Sequence, residues 1–499
     1  MLPLPHARCS GALLLGALAA CGGGSGEPAG APQPAGAPLR LERLAEPRAF
    51  ERVVLVTIDT LRADHVSCYG YPRATTPFLD SLAARGVRFT RAMAAISHTA
   101  PSHATMLTGL VPAVHGVLQN GGQLASETID LAEAFAGAGY ETAAFLNVKF
   151  LSGIAASFGT IGVRAVGPDR RPLSGADVAD ASIEWLRGTR KTPRFLLWVH
   201  LYDPHKWKDL VLEHEGKPEP IWKGASPPDF LAYVAALHGL PAPRAGEPYR
   251  VEWNVERKSG ETLDVASAEG FLACIDAYDR LTLFADTQIE RLYRAIEALA
   301  LPGRTLWVVT SDHGEGLASH GVAGHGGRIY QEQLHVPLIV HASDGSLSPR
   351  VVDELVGHVD LFPTLAEVLG LSAHGSLPLF DGRSLWPLIE GRATAWSPRA
   401  VFAQRRPPEG ADDPEHELLF SLQDERHKLI LQEPGADEFY DLGTDPREAR
   451  NLGGEHPDAA RLRVELEERL QVFGSFASGA GAAVPEEWLE ELRALGYVR

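Results

Sequence analysis

The sequence predicts an α/β layered fold built on a mostly parallel central sheet. Three observations predict it. Short β-branched and apolar runs recur along the 499 residues. Each is followed by turn residues and then by a stretch of helical periodicity, the alternation that parallel sheets require. Three of the runs end in polar, ligand-type side chains, and open α/β sheets bind at the carboxyl edge of their strands.

Taken in order, the chain begins outside that fold. Arg8 and the free amino terminus make a weakly positive start, and "GALLLGALAA", Gly11 to Ala20, is an apolar run of signal-peptide length, too short to span a bilayer. "LAAC", Leu18 to Cys21, resembles a bacterial lipobox, in which Cys21 becomes the lipidated first residue of the mature protein. "GGGSGEPAGAPQPAGAP", Gly22 to Pro38, can bury almost nothing and reads as a leash. The expectation is a signal peptide over 1–20, a lipidated tether over 21–50, and a place in the cell envelope with membrane contact through the lipid only.

The first strand is "RVVLVTID", Arg52 to Asp59, and "TPFLDSLAARG" follows as a helix. "ISHTAPSHATMLTG", Ile96 to Gly109, starts a helix at Thr99, because Pro101 is tolerated in a first turn. "ETAAFLN" and "RFLLWVHLYD" are the next strands, the second leading into His200, Asp203 and His205. Residues 206–260 break the rhythm with Pro, Gly and charge, and read as a long looped insertion near the active face. "FADTQIERLYRAIEALA" restores a helix, "TLWVVTSD" is a strand ending at Asp312 and His313, and "VPLIVH" is another. From about residue 395, "ELLFSLQDERHKLILQE" and "DEFYDLGTDP" read as an antiparallel meander before a charged helix. The division expected is a catalytic domain over 51–394 and a small C-terminal α+β subdomain over 395–499.

Composition narrows the function. A net charge of −18 with 22% charged residues and no clustered basic face argues against nucleic acid as a partner. A small anionic substrate remains open, since a local cation outweighs a distant net charge. With Cys9 and Cys21 at the amino end, only Cys68 and Cys274 remain, too few for a disulfide framework or a zinc ribbon. Whether those two pair is not legible.

The chemistry concentrates at three places. Asp59 alone is as readily a helix cap as a ligand. Adjacent Asp312 and His313 suit a divalent transition metal better than calcium, which prefers an all-oxygen shell. Thr99 is an N-cap candidate on any random T-x-P, but a hydroxyl at a helix N-terminus beside strand-end ligands is also a candidate nucleophile for an anionic ester. Zinc lowers the pKa of bound water from about 15.7 to about 7, on the order of 12 kcal/mol at about 1.36 kcal/mol per unit. A histidine alone does not supply that. Thr99 needs a cation, and Asp59, Asp312 and His313 are its natural ligands.

Nine segments, in order, are similar to the sulfatase branch of the alkaline phosphatase superfamily: "VVLVTIDTLRADHVSCYGY", "TTPFLDSLAARGVRFTRA", "TAPSHATMLTGL", "FLLWVHLYDPH", "TSDHGEG", "GHGGRIYQEQLHVPLIV", "HVDLFPTLAEVLGL", "DGRSLWPLIEG" and "EFYDLGTDPREARNL". The resemblance implies a three-layer α/β/α sandwich with a small C-terminal antiparallel-sheet subdomain, and a metal-dependent ester hydrolase. It also isolates the departures. Sulfatases carry Cys or Ser in C/S-x-P-S-R, which a maturation enzyme oxidises to formylglycine. Here the motif is Thr99-Ala100-Pro101-Ser102-His103. Threonine oxidised at its β-carbon gives a ketone, so no formylglycine is expected. His103 replaces the motif's Arg, Asp59-Thr60 replaces a pair of aspartates, and Asp312-His313 replaces Asp-Asn.

The resemblance therefore implies Asp59, Thr99, Asp312 and His313 as ligands of one or two divalent metal ions (zinc or manganese favoured, magnesium or calcium possible). It implies Thr99, His103, His205 and His325 as catalytic residues. His205 matches the histidine acting on the oxyanion or leaving group, and His325 stands where relatives contact the ester. Lys149 falls near a family lysine in a weakly matching stretch. His200, Asp203, His205 and His325 are alternatives for a second metal, with a structural hydrogen bond the favoured reading of His200. The expected substrate is a phosphate diester or phosphonate-type monoester. The alternatives are a sulfate ester, or a non-catalytic surface-binding lipoprotein of the same fold.

Overall fold

Seven consecutive residues, Arg52–Ile58 (β1), are buried along their whole length, as a strand covered by helices on both faces must be. The computed structural model describes residues 39–44, 48 and 50–476, apart from 127, 164–172, 189–190, 218, 245–246, 252, 254, 257–261, 264–265, 376–380, 393, 395, 406–417 and 434. Around β1 lie Val87–Met93 (β2), Glu141–Leu146 (β3), Thr160–Val163 (β4), Phe195–Leu201 (β5), Thr305–Ser311 (β6), His335–Ala342 (β7) and Arg350–Gly357 (β8). They form an eight-stranded sheet in the order β8-β2-β7-β6-β1-β5-β3-β4. Only β7 runs against its neighbours. The five runs expected as strands are all present. β2, β4 and β8 are additions, two of them short of a continuous apolar run because they lie toward the sheet's margin.

Alternation along β1 builds the layers. Val53 and Leu55 face a core shared with Thr99–Thr108 (α2), Leu131–Gly137 (α3) and Leu361–Ala366 (α8). Val54, Val56 and Ile58 face a second core shared with Pro77–Ala83 (α1), Gly175–Gly188 (α4) and Ala268–Ala298 (α7). The result is the three-layer α/β/α sandwich. The insertion differs from its expected loop. Trp207–His214 (α5) and Phe230–Leu237 (α6) pack with Trp253 against Phe271, Ile275 and Tyr278 of α7, making a third apolar cluster. The helix signal was present in "FLAYVAAL", submerged in the surrounding Pro and Gly.

The antiparallel C-terminal sheet is Val401–Arg405 (β9), Leu418–Gln423 (β10), His427–Glu433 (β11) and Glu438–Asp441 (β12), backed by Pro457–Phe476 (α9). Ala459, Leu462, Leu466 and Phe473 of α9 pack on Phe402, Leu422, Leu429 and Phe439. At the other end, Leu39–Arg43 pairs antiparallel with Leu371–Gly375, so these residues, expected within the tether over 21–50, belong to the fold. The expected signal, Cys21 and the leash to Pro38 lie outside the described residues. Among the described residues, no helix is long and apolar enough to cross a membrane. Cys68 and Cys274 are both free thiols.

One buried ion pair fastens the small sheet to the large one. Lys428 Nζ lies 2.7 Å from Glu448 Oε1 and donates to Ile329 O at 2.6 Å, while Gln331 N donates to Glu448 Oε2. Both side chains are fully buried. Lys428→Met strands the Glu448 carboxylate in a dry site and is expected to lower stability by about 3–5 kcal/mol, read from urea unfolding. Adding Glu448→Leu should recover most of the loss, and failure to recover any would put the effect elsewhere than in the pair.

Candidate active site

Three adjacent parallel strands end level with one another: Ile58 is in register with Leu201 of β5 and with Ser311 of β6. The residues just beyond them, Asp59, Tyr202 and Asp312, therefore converge at one edge. Immediately after β1 the chain turns through Thr60 at φ 58, a left-handed conformation that costs a β-branched residue roughly 1–2 kcal/mol. The turn is held by Thr60 N donating to Asp312 Oδ1 at 3.1 Å and by the Tyr278 hydroxyl donating to Thr60 O at 2.6 Å. Strain of this kind is retained where a side chain must be aimed.

What is aimed is a set of bare acceptors. Asp59, Asp312 and His313 each present an atom within 4.8 Å of the others, all fully buried. Both Asp59 oxygens and Asp312 Oδ2 have no hydrogen-bond donor. His313 Nδ1 donates to Gly314 O at 2.9 Å, which leaves Nε2 as the lone pair, 3.4 Å from Thr99 Oγ1. Burial, then the charges of Asp312 and Glu315, push the Asp59 carboxyl well above the usual carboxylate range. Buried acceptors without donors are costly unless a cation joins them. Two carboxylates, one imidazole with its tautomer set by a carbonyl, and a hydroxyl fit a divalent transition metal. Among the described residues this is the single group of its kind, and no second cluster forms around His205 and His325.

Thr99 is the first residue of α2, with His98 rather than Thr99 in the extended capping position. The amide of Ala100 already donates to Asn120 Oδ1 at 2.8 Å, and Pro101 has none, so this helix end offers an incoming anion less than the sequence implied. The helix dipole and Thr99's own hydroxyl remain. Asn120, far in sequence and on no recognised motif, carried no signal.

His103 departs from its expected place. Its Nδ1 donates to Thr99 O at 2.7 Å and its Nε2 meets Thr57 Oγ1 at 2.9 Å. One helical turn puts it beneath Thr99's carbonyl, so both nitrogens are engaged away from the hydroxyl. Burial pushes its pKa down to about 3. Asp203 departs too: its Oδ1 accepts from Gly175 N at 2.9 Å, at the start of α4. Lys149 stands on the short turn Lys149–Leu151 after β3.

His205 and His325 do come to the site. Their rings lie 5.0 Å apart, and the His325 ring lies 4.5 Å from that of His313. His205 stacks on Tyr202 with Nε2 3.0 Å from its hydroxyl. Both residues are half-buried, and the row of imidazoles His205, His325 and His313 ends at buried Thr99. Glu315 was not assigned from sequence, although it stands inside "TSDHGEG". Its carboxylate lies 3.3 Å from His325 Nδ1 and accepts from Trp207 Nε1 at 3.1 Å. Burial alone would raise its carboxyl, but His325, the Lys208 cation and Trp207 hold it below its usual value.

Comparison with known proteins gives the family. A family model described as Sulfatase matches residues 51–371, and one described as N-sulphoglucosamine sulphohydrolase, C-terminal matches 326–474. Arylsulfatase A of Homo sapiens is 27% identical over 487 residues, covering 84% of this chain and 87% of that protein. The phosphonate monoester hydrolase of Agrobacterium radiobacter superposes with a TM-score of 0.62 at 22% identity, over 86% of this chain and 96% of its own. A 2-O GAG sulfatase superposes with a TM-score of 0.66 at 21% identity, over 88% and 93%. Since the first family model alone spans well over half of the sequence and includes every strand-end residue of the site, the chain belongs to the sulfatase family and is a hydrolase of that family.

Proposed function

We propose that this hydrolase cleaves a phosphate ester, a diester or phosphonate-type monoester, with Thr99 as nucleophile. One observation carries the reading: the residue at the formylglycine position is a threonine whose hydroxyl lies 3.4 Å from the His313 nitrogen lone pair, beside the bare carboxylates. A divalent cation held by Asp59, Asp312 and His313 supplies positive charge that eases loss of the hydroxyl proton and offsets the ester's negative oxygens.

The chain's own residues do the rest. Thr99 Oγ1, its proton lost to water, attacks phosphorus in line as the bond to the leaving oxygen breaks. That oxygen takes a proton delivered through His205 or His325, the two half-buried imidazoles beside His313. Water then attacks the phospho-threonine at phosphorus and Thr99 recovers its proton. The alternative reading is a sulfate ester, and the names of Arylsulfatase A and the 2-O GAG sulfatase favour it. Against it stands the chemistry, because a sulfated threonine lacks the hemiacetal hydroxyl that expels sulfate. The test is a panel of aryl phosphate monoester, diester, phosphonate and sulfate with protein loaded in turn with zinc, manganese, magnesium and calcium. Phosphodiester or phosphonate turnover above sulfate turnover is expected; unmodified wild type preferring sulfate overturns the reading.

The same proposal places the enzyme in the cell envelope, tethered through Cys21, on the strength of "LAAC" and the leash after it. Intact mass of membrane-extracted protein should then begin at a lipid-modified Cys21. A soluble form with another first residue, unaffected by Cys21→Ala, would remove the tether.

A further inference from the structure

The insertion brings a cation to the imidazole row. Asp203–Lys206 is a short 3₁₀ turn that runs straight into α5, so His205 and Lys208 stand three residues apart on one helical face, with Cβ atoms about 5–6 Å from each other. Two lysines flank Trp207 in "HKWK", and they differ. Lys206 Nζ donates to Leu173 O at 2.7 Å and lies over the Tyr202 ring. Lys208 is half-buried, with its Nζ 5.3 Å from the centre of the Trp207 ring. Among the described residues its ammonium has no hydrogen-bond acceptor and no carboxylate within 4.0 Å.

Its place is fixed from both sides. Trp207 Nε1 donates to Glu315 Oε2 at 3.1 Å, which ties the first turn of α5 to the turn carrying Asp312 and His313. Gly316 N donates to Gly324 O at 3.0 Å, which ties that same turn to the loop bearing His325. A Cβ placed on Gly324 would stand 3.4 Å from Lys208 Nζ and 3.9 Å from Glu315 Oε1, so the ammonium abuts the residue next to His325. A Cβ on Gly327 would meet nothing within 4 Å, which leaves open space on this loop. Glu315 feels the Lys208 charge after that of His325, but its oxygens already face Trp207 and His325. Lys208 is left as a half-satisfied cation.

A chain of net charge −18, with Asp59, Asp312 and Glu315 gathered at this edge, repels a second negative charge on a substrate unless a local cation receives it. We infer that Lys208 is that receiver, a specificity-determining residue for an ester whose leaving group carries a second anionic group of the carboxylate kind. The inference rests on the proposed reading of His205 and His325 as the imidazoles on the leaving-oxygen side, and adds to it the charge of the substrate. An ammonium on a flexible stem suits the role, being a compact charge that needs no fixed two-pronged partner. Lys208 lies outside all nine segments that resemble the sulfatase branch, so the preference belongs to this chain's insertion and not to the shared motifs.

The experiment uses the full chain, loaded with zinc or manganese in turn, and benzylphosphonates carrying a carboxylate ortho, meta or para on the ring, each beside its neutral carboxamide. Their phosphorus–carbon bond is no ester, so calorimetry reads binding without turnover. At least one carboxylate isomer is expected to bind about tenfold tighter than its carboxamide, the worth of one hydrogen bond to a charged group. The preference should shrink as salt rises. Lys208→Met should remove it and Lys208→Arg should keep most of it, with melting curves checking the fold of both. No preference in wild type overturns the inference whatever the variants do, as does an equal preference in folded Lys208→Met or failure of every phosphonate to bind. A preference that depends on Lys208, in a protein that turns over none of the ester panel, overturns the hydrolytic reading alone and keeps the anion site.

Discussion

Thr99→Ala is expected to lower turnover by about ten-thousand-fold or more, the loss seen when a covalent nucleophile is deleted and only binding and electrostatics remain. The substitution removes the oxygen that lies 3.4 Å from His313 Nε2 and leaves the helix intact, because Thr99 is its first residue and makes no capping bond that alanine would forfeit. Stability should change little, so lost activity with an unchanged melting curve is the signature. Thr99→Ser should retain measurable turnover, since only a buried methyl group is lost. The informative variant is Thr99→Cys. Matured to formylglycine, it restores the hydroxyl that threonine lacks and should gain sulfate-ester hydrolysis, while unmodified wild type shows no mass change at residue 99. Wild-type turnover that survives Thr99→Ala would remove Thr99 from the chemistry altogether.

Much of the architecture was legible because it follows from short-range rules. Buried strands such as Arg52–Ile58 are apolar on both sides, and their ends announce themselves with Asp59 and Asp312. Parallel strands in register then bring those ends together with no further information needed. What escaped the sequence is what depends on contacts across many residues. Glu315 lies in a quoted motif, yet nothing in a glycine-rich turn says which side chain points inward. Trp207 and His325 decide that from elsewhere in the chain.

His103 shows the same limit. The motif placed His103 beside the nucleophile by position along the chain, but an α-helix carries residue i+4 back over the carbonyl of residue i. It meets Thr99 O and not Thr99 Oγ1. His200 read as a histidine held by a structural hydrogen bond, and its Nδ1 lies 3.0 Å from Thr57 Oγ1. The insertion was misjudged because composition averages over a segment. Pro and Gly in the connections outweighed the eight residues, Phe230–Leu237, that form a helix on α7.

The second large effect concerns the cation. Asp59→Asn and Asp312→Asn should each abolish metal binding and with it turnover, since each removes one of the two carboxylates that face each other in the buried cluster. Their effect on the metal-free protein should have the opposite sign. Two facing buried carboxyl groups, with no donor on either Asp59 oxygen or on Asp312 Oδ2, destabilise the fold that holds them, so a metal-free asparagine variant should melt no lower than metal-free wild type. Saturating metal at about a thousand times its Kd stabilises wild type by about 4 kcal/mol through mass action, and the variants should show none of that rise. The crossing is the decisive feature: wild type above the variants with metal present, and level with or below them when it is stripped. A simple structural role for the two carboxylates predicts variants less stable under both conditions, and that outcome would place the cation, if one binds, somewhere other than between Asp59, Asp312 and His313.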